Sequence, residues 1–304
     1  MDNFLKIRLL TLGLLLVATA LIWSAEITDI EGLNLSSSLS ESWFGQGICP
    51  EEKLCVAFLD VGQGDSIFIQ SPSGQQMLID GGRGSAVLRE LGKVMGDFDR
   101  NLDYVLMTHP DADHIGGLVD IFERYEIGAV IKTTNQSESA VFASVMDLIK
   151  DEEVDEYLAR RGQRYDLGEG VIFEVLFPDV ETLNMESNAS SIVGRLTYGT
   201  SSFLLTGDSP KSIEEYLVLV DGEYLQSDVL KVGHHGSRTS TAEMFLAEVQ
   251  PEYAIISVGK DSQYGHPHVE VTDMLFNAGV RTLSTAEEGT IVFVSDSTSL
   301  EVLK

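Results

Sequence analysis

The stretch Met107–Leu118, MTHPDADHIGGL, holds two of the chain's six histidines and two aspartates within six positions, His109 to His114, and then runs into a Gly-Gly pair. A regular strand or helix spreads His109, Asp111, Asp113 and His114 over more than one face, whereas a loop leaving a strand can turn all four toward one point. Imidazole nitrogens and carboxylate oxygens are ligands of divalent ions such as Zn²⁺ and Mn²⁺. Two ions about 3.5 to 4 Å apart can share such a set, one on His109 and Asp111 and the other on Asp113 and His114. The chemistry this predicts is hydrolysis by a metal-activated water. Gly116 and Gly117 then let the backbone turn closely into a helix.

The other reactive side chains also fall where apolar runs end: Asp80 in LIDGG, Asp208 in FLLTGD, His234 and His235 in LKVGHHGS, His266 and His268 in YGHPH. Carboxyl ends of strands are where α/β folds gather their sites, so one cleft is expected. Asp80 is read either as a turn former or as support behind the ligands. Asp60 and Asp65 are read first as turn formers, with support of the metal site as the alternative. Ser237 and Thr239 are placed to cap a helix in STAEMF, with contact to a phosphate as the alternative.

The elements that must position these groups follow from apolar periodicity. Residues 54–61, 66–71, 75–82, 102–108 and 127–133 read as strands, as do 171–178, 191–199, 202–208, 227–233, 252–259 and three runs from 281 onward. Residues 85–95, 115–125, 139–152, 209–220, 240–249 and 271–279 read as helices. The pattern is mixed α/β, with hairpin-length turns early and strands alternating with helices later.

Composition bounds the partners. With 48 acidic against 20 basic residues in 304, the net charge is −28, and no Lys/Arg cluster is present to neutralise a long polyanion. At the N-terminus, Lys6 and Arg8 precede an apolar run from Leu9 to Trp23. This reads as an export signal retained as a membrane anchor, with the rest of the chain outside the cytoplasm; cleavage after Ala18–Ala20 and secretion is the alternative. The domain reading is a signal or anchor segment at 1–25, a Ser-rich acidic tether at 26–48 and a catalytic domain at 49–304. Cys49 and Cys55 can pair if the compartment is oxidising, and their spacing is not a zinc pattern.

Taken in order, FLDVGQGDSIFI, LIDGG, HPDADH with IGG, FLLTGD, LKVGHHGS and YGHPH resemble the metallo-β-lactamase fold and, within it, the hydrolase domain of the competence protein ComEC and its stand-alone relatives. The resemblance implies a four-layer αββα sandwich with a metal site along one edge, holding one or two divalent ions, Zn²⁺ or Mn²⁺. It implies that Asp208 bridges the ions and that His235 is the last histidine ligand. His234 then lies behind the ligands or against a phosphate, although the two histidines can exchange roles. The fold's usual second histidine is here Asp111, and no histidine lies between His114 and His234. Asn188, Ser190 or Ser191 stand on that side instead, giving an oxygen-richer first site that suits a harder ion. Asp113 or Asp208 would orient the nucleophile, and His266 would contact the substrate phosphate or donate a proton. The implied reaction is phosphodiester hydrolysis, on nucleic acid or a small molecule. A lactam, lactone or thioester hydrolase and a decayed binding module are the competing readings. Nothing in the sequence identifies a protein partner.

Overall fold

The protein is described here from a computed structural model, which covers residues 47–96 and 99–303. The candidate anchor at 1–25 and the tether up to residue 46 lie outside the described residues. Among the described residues no helix is long and apolar enough to cross a membrane.

Strand β1, Leu54–Phe58, is apolar at every position and buried throughout, so both of its faces need a cover. Cys55 and Ala57 point into one apolar cluster and Leu54, Val56 and Phe58 into another. The strand thus sits between a helical layer and a second sheet. β2 (Ile67–Gln70), β3 (Gln76–Ile79), β4 (Asn101–Leu106), β5 (Glu126–Lys132) and β6 (Asp155–Leu158) follow it in the first sheet. The second sheet holds β7 (Arg164–Asp166), β8 (Ile172–Phe177), β9 (Val193–Tyr198), β10 (Ser201–Leu205), β11 (Val229–Lys231), β12 (Tyr253–Ile256) and β13 (Arg281–Ser284). β14 (Ile291–Ser295) and β15 (Leu300–Leu303) return to the first sheet, where β14 pairs antiparallel with β1. The strand orders are β15-β14-β1-β2-β3-β4-β5-β6 and β13-β12-β11-β10-β9-β8-β7.

Helices α1 (Ala86–Val94), α2 (Ala112–Ile115), α3 (Leu118–Phe122) and α4 (Ala140–Asp151) bury their apolar faces on the first sheet. α5 (Lys211–Asp221), α6 (Glu243–Val249) and α7 (Val269–Asn277) cover the second, and a short α8 (Thr285–Glu288) follows β13. Between the sheets Phe293 packs edge-on against Phe58, Phe203 and Tyr253, with ring centroids 5.3 to 6.0 Å apart. The layers are therefore helix, sheet, sheet, helix.

Local differences from the sequence reading have physical causes. β6 is exposed at all four residues and β7 at two of three; both pair on the rim of a sheet and carry no apolar alternation. The helix read at 115–125 is two short helices, α2 and α3, separated at Gly116–Gly117. Cys49 and Cys55 form a disulfide, with Cα atoms 5.5 Å apart.

Ser237 and Thr239 do not cap α6, which corrects the sequence reading: the residue before the helix is Ala242, without a side-chain cap. The cap comes from α5. The Glu214 carboxylate accepts hydrogen bonds from the backbone N–H of Thr241, at 2.9 Å, and of Ala242, at 2.7 Å. This fastens the loop after β11 to the helix after β10. Glu214 is fully buried, and burial raises its carboxyl to about 7, against the pull of the two backbone donors.

Folded Glu214 therefore holds a proton that an unfolded glutamate, at an ordinary value near 4.5, has released. Its contribution to stability is fully present below about 4.5 and is lost as pH rises through 7. Glu214→Gln is expected to flatten this part of the stability profile between pH 5 and 8, measured as denaturation midpoints of variant and wild type. An identical pH slope in both would remove Glu214 as the titrating group.

Candidate metal centre

β3 and β4 run parallel, as do β10, β11 and β12, so their carboxyl ends deliver side chains to the same edge. Asp80 follows β3, His109 to His114 follow β4, Asp208 follows β10, and His234 and His235 follow β11. Two glycines permit the crowding. A Cβ on Gly117 would lie 2.0 Å from the carbonyl oxygen of Gly81, and one on Gly64 would lie 1.9 Å from that of Asp113. The GQGD and GG turns thus pack directly on the histidine motif.

Asp80 sets the orientation of the next layer. Its backbone is left-handed, with φ 58°, a conformation that aspartate tolerates better than most residues. Its carboxylate accepts from the N–H and hydroxyl of Thr108, at 2.8 and 2.6 Å, and from Nδ1 of His114 at 2.8 Å. His235 donates from Nδ1 to the carbonyl of Ser257 at 2.9 Å. Nδ1 of His109 meets the hydroxyls of Thr108, at 3.0 Å, and Ser191, at 3.3 Å. All three histidines thereby engage protein through Nδ1 and aim Nε2 inward, the arrangement that fixes tautomer and ring orientation in metal-ligating histidines.

The three Nε2 atoms and Oδ1 of Asp208 are buried without a hydrogen-bond partner. A buried polar atom left unpaired is costly, and four at one point make a site for a cation. Oδ2 of Asp208 lies 3.3 Å from Nε2 of His114 and 3.5 Å from Nε2 of His235, which is itself 3.6 Å from Oδ2 of Asp113. Donor atoms within 4.8 Å of one another occur in the sets His109–His114–Asp208, Asp113–His114–His235, Asp65–Asp208–His235 and Asp65–Asp80–His114. The residues present fit a divalent ion.

Electrostatics agree. Burial disfavours charge on His114, but Asp208 and Asp80 outweigh it and hold the imidazole well above its usual range. Burial also opposes charge on His235, yet Asp208, Asp113 and Asp65 lift it to about 9. Asp208 and Asp113 are held below the usual carboxylate range by the same histidines, again against burial. The carboxylates are ionised, and protons on the histidines supply the positive charge that an ion would replace.

Two partners were not foreseen in their actual roles. Lys231 is fully buried, and its ammonium pairs with Asp65, donates to the carbonyl of Gly207 at 3.2 Å and lies 4.0 Å from Oδ1 of Asp208. Asp65 corrects the turn-former reading: it is buried between this ammonium and Nδ1 of His235, 3.3 Å away. A lysine inside the apolar strand run SDVLKVG was the signal for it. Asp60 does form a turn, accepting from the N–H of Gly62 at 3.3 Å.

The remaining candidates separate by position. Asp111 lies at the rim, its Oδ2 3.6 Å from Nε2 of His109 and its Oδ1 accepting from Ser187 at 2.5 Å. His234 stands outside the three-donor sets, with Nε2 3.7 Å from Asp208 and Nδ1 facing Asn188 and Thr239 at 3.3 and 3.2 Å. Ser190 is corrected as a substrate contact, because it is fully buried and its hydroxyl is engaged by Ser187 and Asn135. Ser191 is likewise sealed and steadies His109 and the backbone N–H of Asp208. Ser237 is buried against Thr239, which removes it from the substrate-facing surface. His266 approaches from the far side, with its ring 5.4 Å from that of His234 and 6.3 Å from that of His235. Burial and the neighbouring histidines push it down to about 4, so at neutral pH it presents a neutral ring.

Comparison with known proteins now decides the family. The profile of the Metallo-beta-lactamase superfamily matches residues 59–260. The chain belongs to this superfamily. At that level it is a metal-dependent hydrolase. It is 33% identical over 255 residues to ComE operon protein 3 of Bacillus subtilis, covering 78% of this chain and 32% of that protein. It is also 33% identical over 245 residues to Competence protein ComA of Neisseria gonorrhoeae, covering 80% and 33%. The chain thus spans about a third of the length of these curated relatives. Among solved structures, the metallo-beta-lactamase fold protein YhfI from Bacillus subtilis superposes with TM-score 0.53 at 13% identity, covering 80% of this chain and all of that one. This last likeness concerns the fold alone.

The Lys231–Asp65 pair generates a stability test. Lys231→Met leaves a buried carboxylate without its cation and is expected to cost about 3 to 5 kcal/mol. Replacing both partners, with Asp65→Leu added, is expected to recover most of that loss. Denaturant midpoints of the metal-free proteins measure both, and a single-variant cost below about 1 kcal/mol would show that the pair is not what balances this charge.

Proposed function

We propose that this protein is a phosphodiesterase whose divalent ion is held by Asp113, His114, Asp208 and His235. The observation that carries the reading is the convergence of these four side chains with their donor atoms aimed at one another and three histidine Nε2 atoms left free. Nitrogen and carboxylate donors without thiolate suit Mn²⁺ as well as Zn²⁺. His109 and Asp111 are the ligands for a second ion. Bound there, a divalent ion supplies Lewis-acid polarisation of a phosphoryl oxygen and acidifies water.

The chain's own residues do the rest. Lys231 holds Asp65 and faces one oxygen of Asp208, which leaves Oδ2 of Asp208 to the histidines. Asp113, at the partly exposed side, is placed to orient the attacking water. His234 and Asn188 line the approach and offer hydrogen bonds to non-bridging phosphate oxygens. His266, neutral at pH 7, donates an N–H to the departing ester oxygen without adding charge. Hydrogen bonds fixed in place before reaction act where charge develops.

The names of the relatives extend the proposal to nucleic acid, while the net charge of −28 favours short phosphodiesters. We place the catalytic domain outside the cytoplasm, anchored through the N-terminal segment. The basic residues before its apolar run and the Cys49–Cys55 disulfide support this location.

Elemental analysis of the purified protein is expected to give one or two ions per chain, with turnover of bis(p-nitrophenyl) phosphate and none of nitrocefin. Asp208→Ala and His114→Ala are each expected to lower that turnover by at least about 10³-fold and to reduce bound metal. Undiminished hydrolysis in both variants would sink the proposed site.

A further inference from the structure

A cavity of about 720 Å³ opens at the carboxyl ends of β12 and β13, walled by α7, and His266 forms one of its sides. It therefore begins one histidine away from the metal-binding cluster. Its volume is that of a small-molecule site, and crevices beyond the carboxyl ends of parallel strands are where α/β sheets bind ligands. The Nδ1 atom of His266 is buried and has no partner.

The lining is chemically specific. Phe276 on α7 presents its ring to solvent, 81% exposed, inside this cavity. Tyr264, 63% exposed, stacks on the other side of His266, with centroids 5.8 Å apart. Exposed aromatic faces beside a phosphate-directed histidine are platforms for a planar ring, and base–aromatic stacking serves any base. Lys260 supplies a cation, and Asp273 on α7 and Glu287 on α8 are carboxylates that also line the cavity. Ionised carboxylates only accept hydrogen bonds, so they favour a ring that carries amino donors.

We propose that this cavity seats one nucleoside of the substrate, stacked on Phe276, and that Asp273 and Glu287 select bases bearing an exocyclic amine. This rests on the phosphodiester reading and narrows it: the group next to the scissile phosphate is adenosine or cytidine in preference to uridine or thymidine. Uracil and thymine present a carbonyl oxygen at the ring position where cytosine carries its amine, as guanine does where adenine carries its own, and that oxygen would face a carboxylate. The source of the nucleoside is a free nucleotide or the end of a strand.

The test is calorimetric titration of the full chain with 5′-AMP and 5′-UMP, with the dinucleotide ApA as a third ligand, and with bis(p-nitrophenyl) phosphate turnover of the wild type measured alongside. AMP is expected to bind roughly 10-fold tighter than UMP. Phe276→Ala is expected to weaken AMP about 10-fold, and Asp273→Asn with Glu287→Gln to remove the preference. ApA binding tighter than AMP assigns the cavity to a strand end, and equal binding assigns it to a free nucleotide. Equal affinities for AMP and UMP, or AMP binding unchanged by Phe276→Ala, overturn the inference even if the phosphodiester is hydrolysed. Phe276-dependent AMP binding without any phosphodiester turnover supports the cavity assignment and instead overturns the reading on which it was built.

Discussion

Everything at this edge of the molecule depends on keeping Asp65, Asp80, Asp113 and Asp208 beside one another, three of them almost wholly out of water. An isolated buried carboxylate takes up a proton rather than remain charged. Here each has a committed partner: Lys231 for Asp65, Thr108 and His114 for Asp80, His235 for Asp113, and His114 with His235 for Asp208. The histidines are in turn raised by the carboxylates, so neither set holds its charge without the other. Lys231 differs from the rest in pairing with Asp65 from the interior side while lying 4.0 Å from Oδ1 of Asp208.

That demand explains the backbone around it. Asp80, His234 and His235 all adopt left-handed φ values, 58°, 48° and 55°, which residues other than glycine adopt at a cost. The strain is affordable only where surrounding contacts over-determine the loop. Asp80 is locked by Thr108 and His114, and the His234–His235 turn is fastened through Ser240, Thr241 and Ala242 to Ser209 and Glu214 of the neighbouring loop and helix. Gly64 and Gly117 then bring two further turns into contact distances that no side chain would permit.

Most of the proposed ligand set was legible because each candidate lies in a short run with its own signal. His109 to His114 crowd six positions, Asp208 ends an apolar run, and His234 and His235 are adjacent. The strands other than β6 and β7 were legible for the same reason, since buried apolar runs stand out from their turns. The pairing of Asp65 with Lys231 was not: the apolar run marks Lys231 alone, an ion pair across 166 positions has no local pattern, and an aspartate in a glycine-rich loop reads as a turn. Ser190 failed in the opposite sense. Its neighbours Asn188 and Ser191 do face the cluster, but a single turn of 3₁₀ helix at Asn188–Ser190 rotates its hydroxyl into the bonds with Ser187 and Asn135. Glu214 illustrates a third limit, because a helix cap donated by a different helix leaves no mark near the helix it caps.

The acidity of the chain and an anionic substrate are compatible on electrostatic grounds. At physiological ionic strength screening acts over about 8 Å, so the charge a phosphate meets is local rather than the total of −28. Locally, the carboxylates nearest the centre are already paired with imidazoles and an ammonium, and a bound divalent ion would add two positive charges at the point of attack. A short substrate would enter this compensated region alone. A long strand would also meet the acidic excess of the rest of the chain, whose sequence holds no Lys/Arg cluster to offset that repulsion. On the proposed phosphodiesterase reading, the same charge distribution would admit a phosphodiester at the centre and discriminate by the length of what is attached to it.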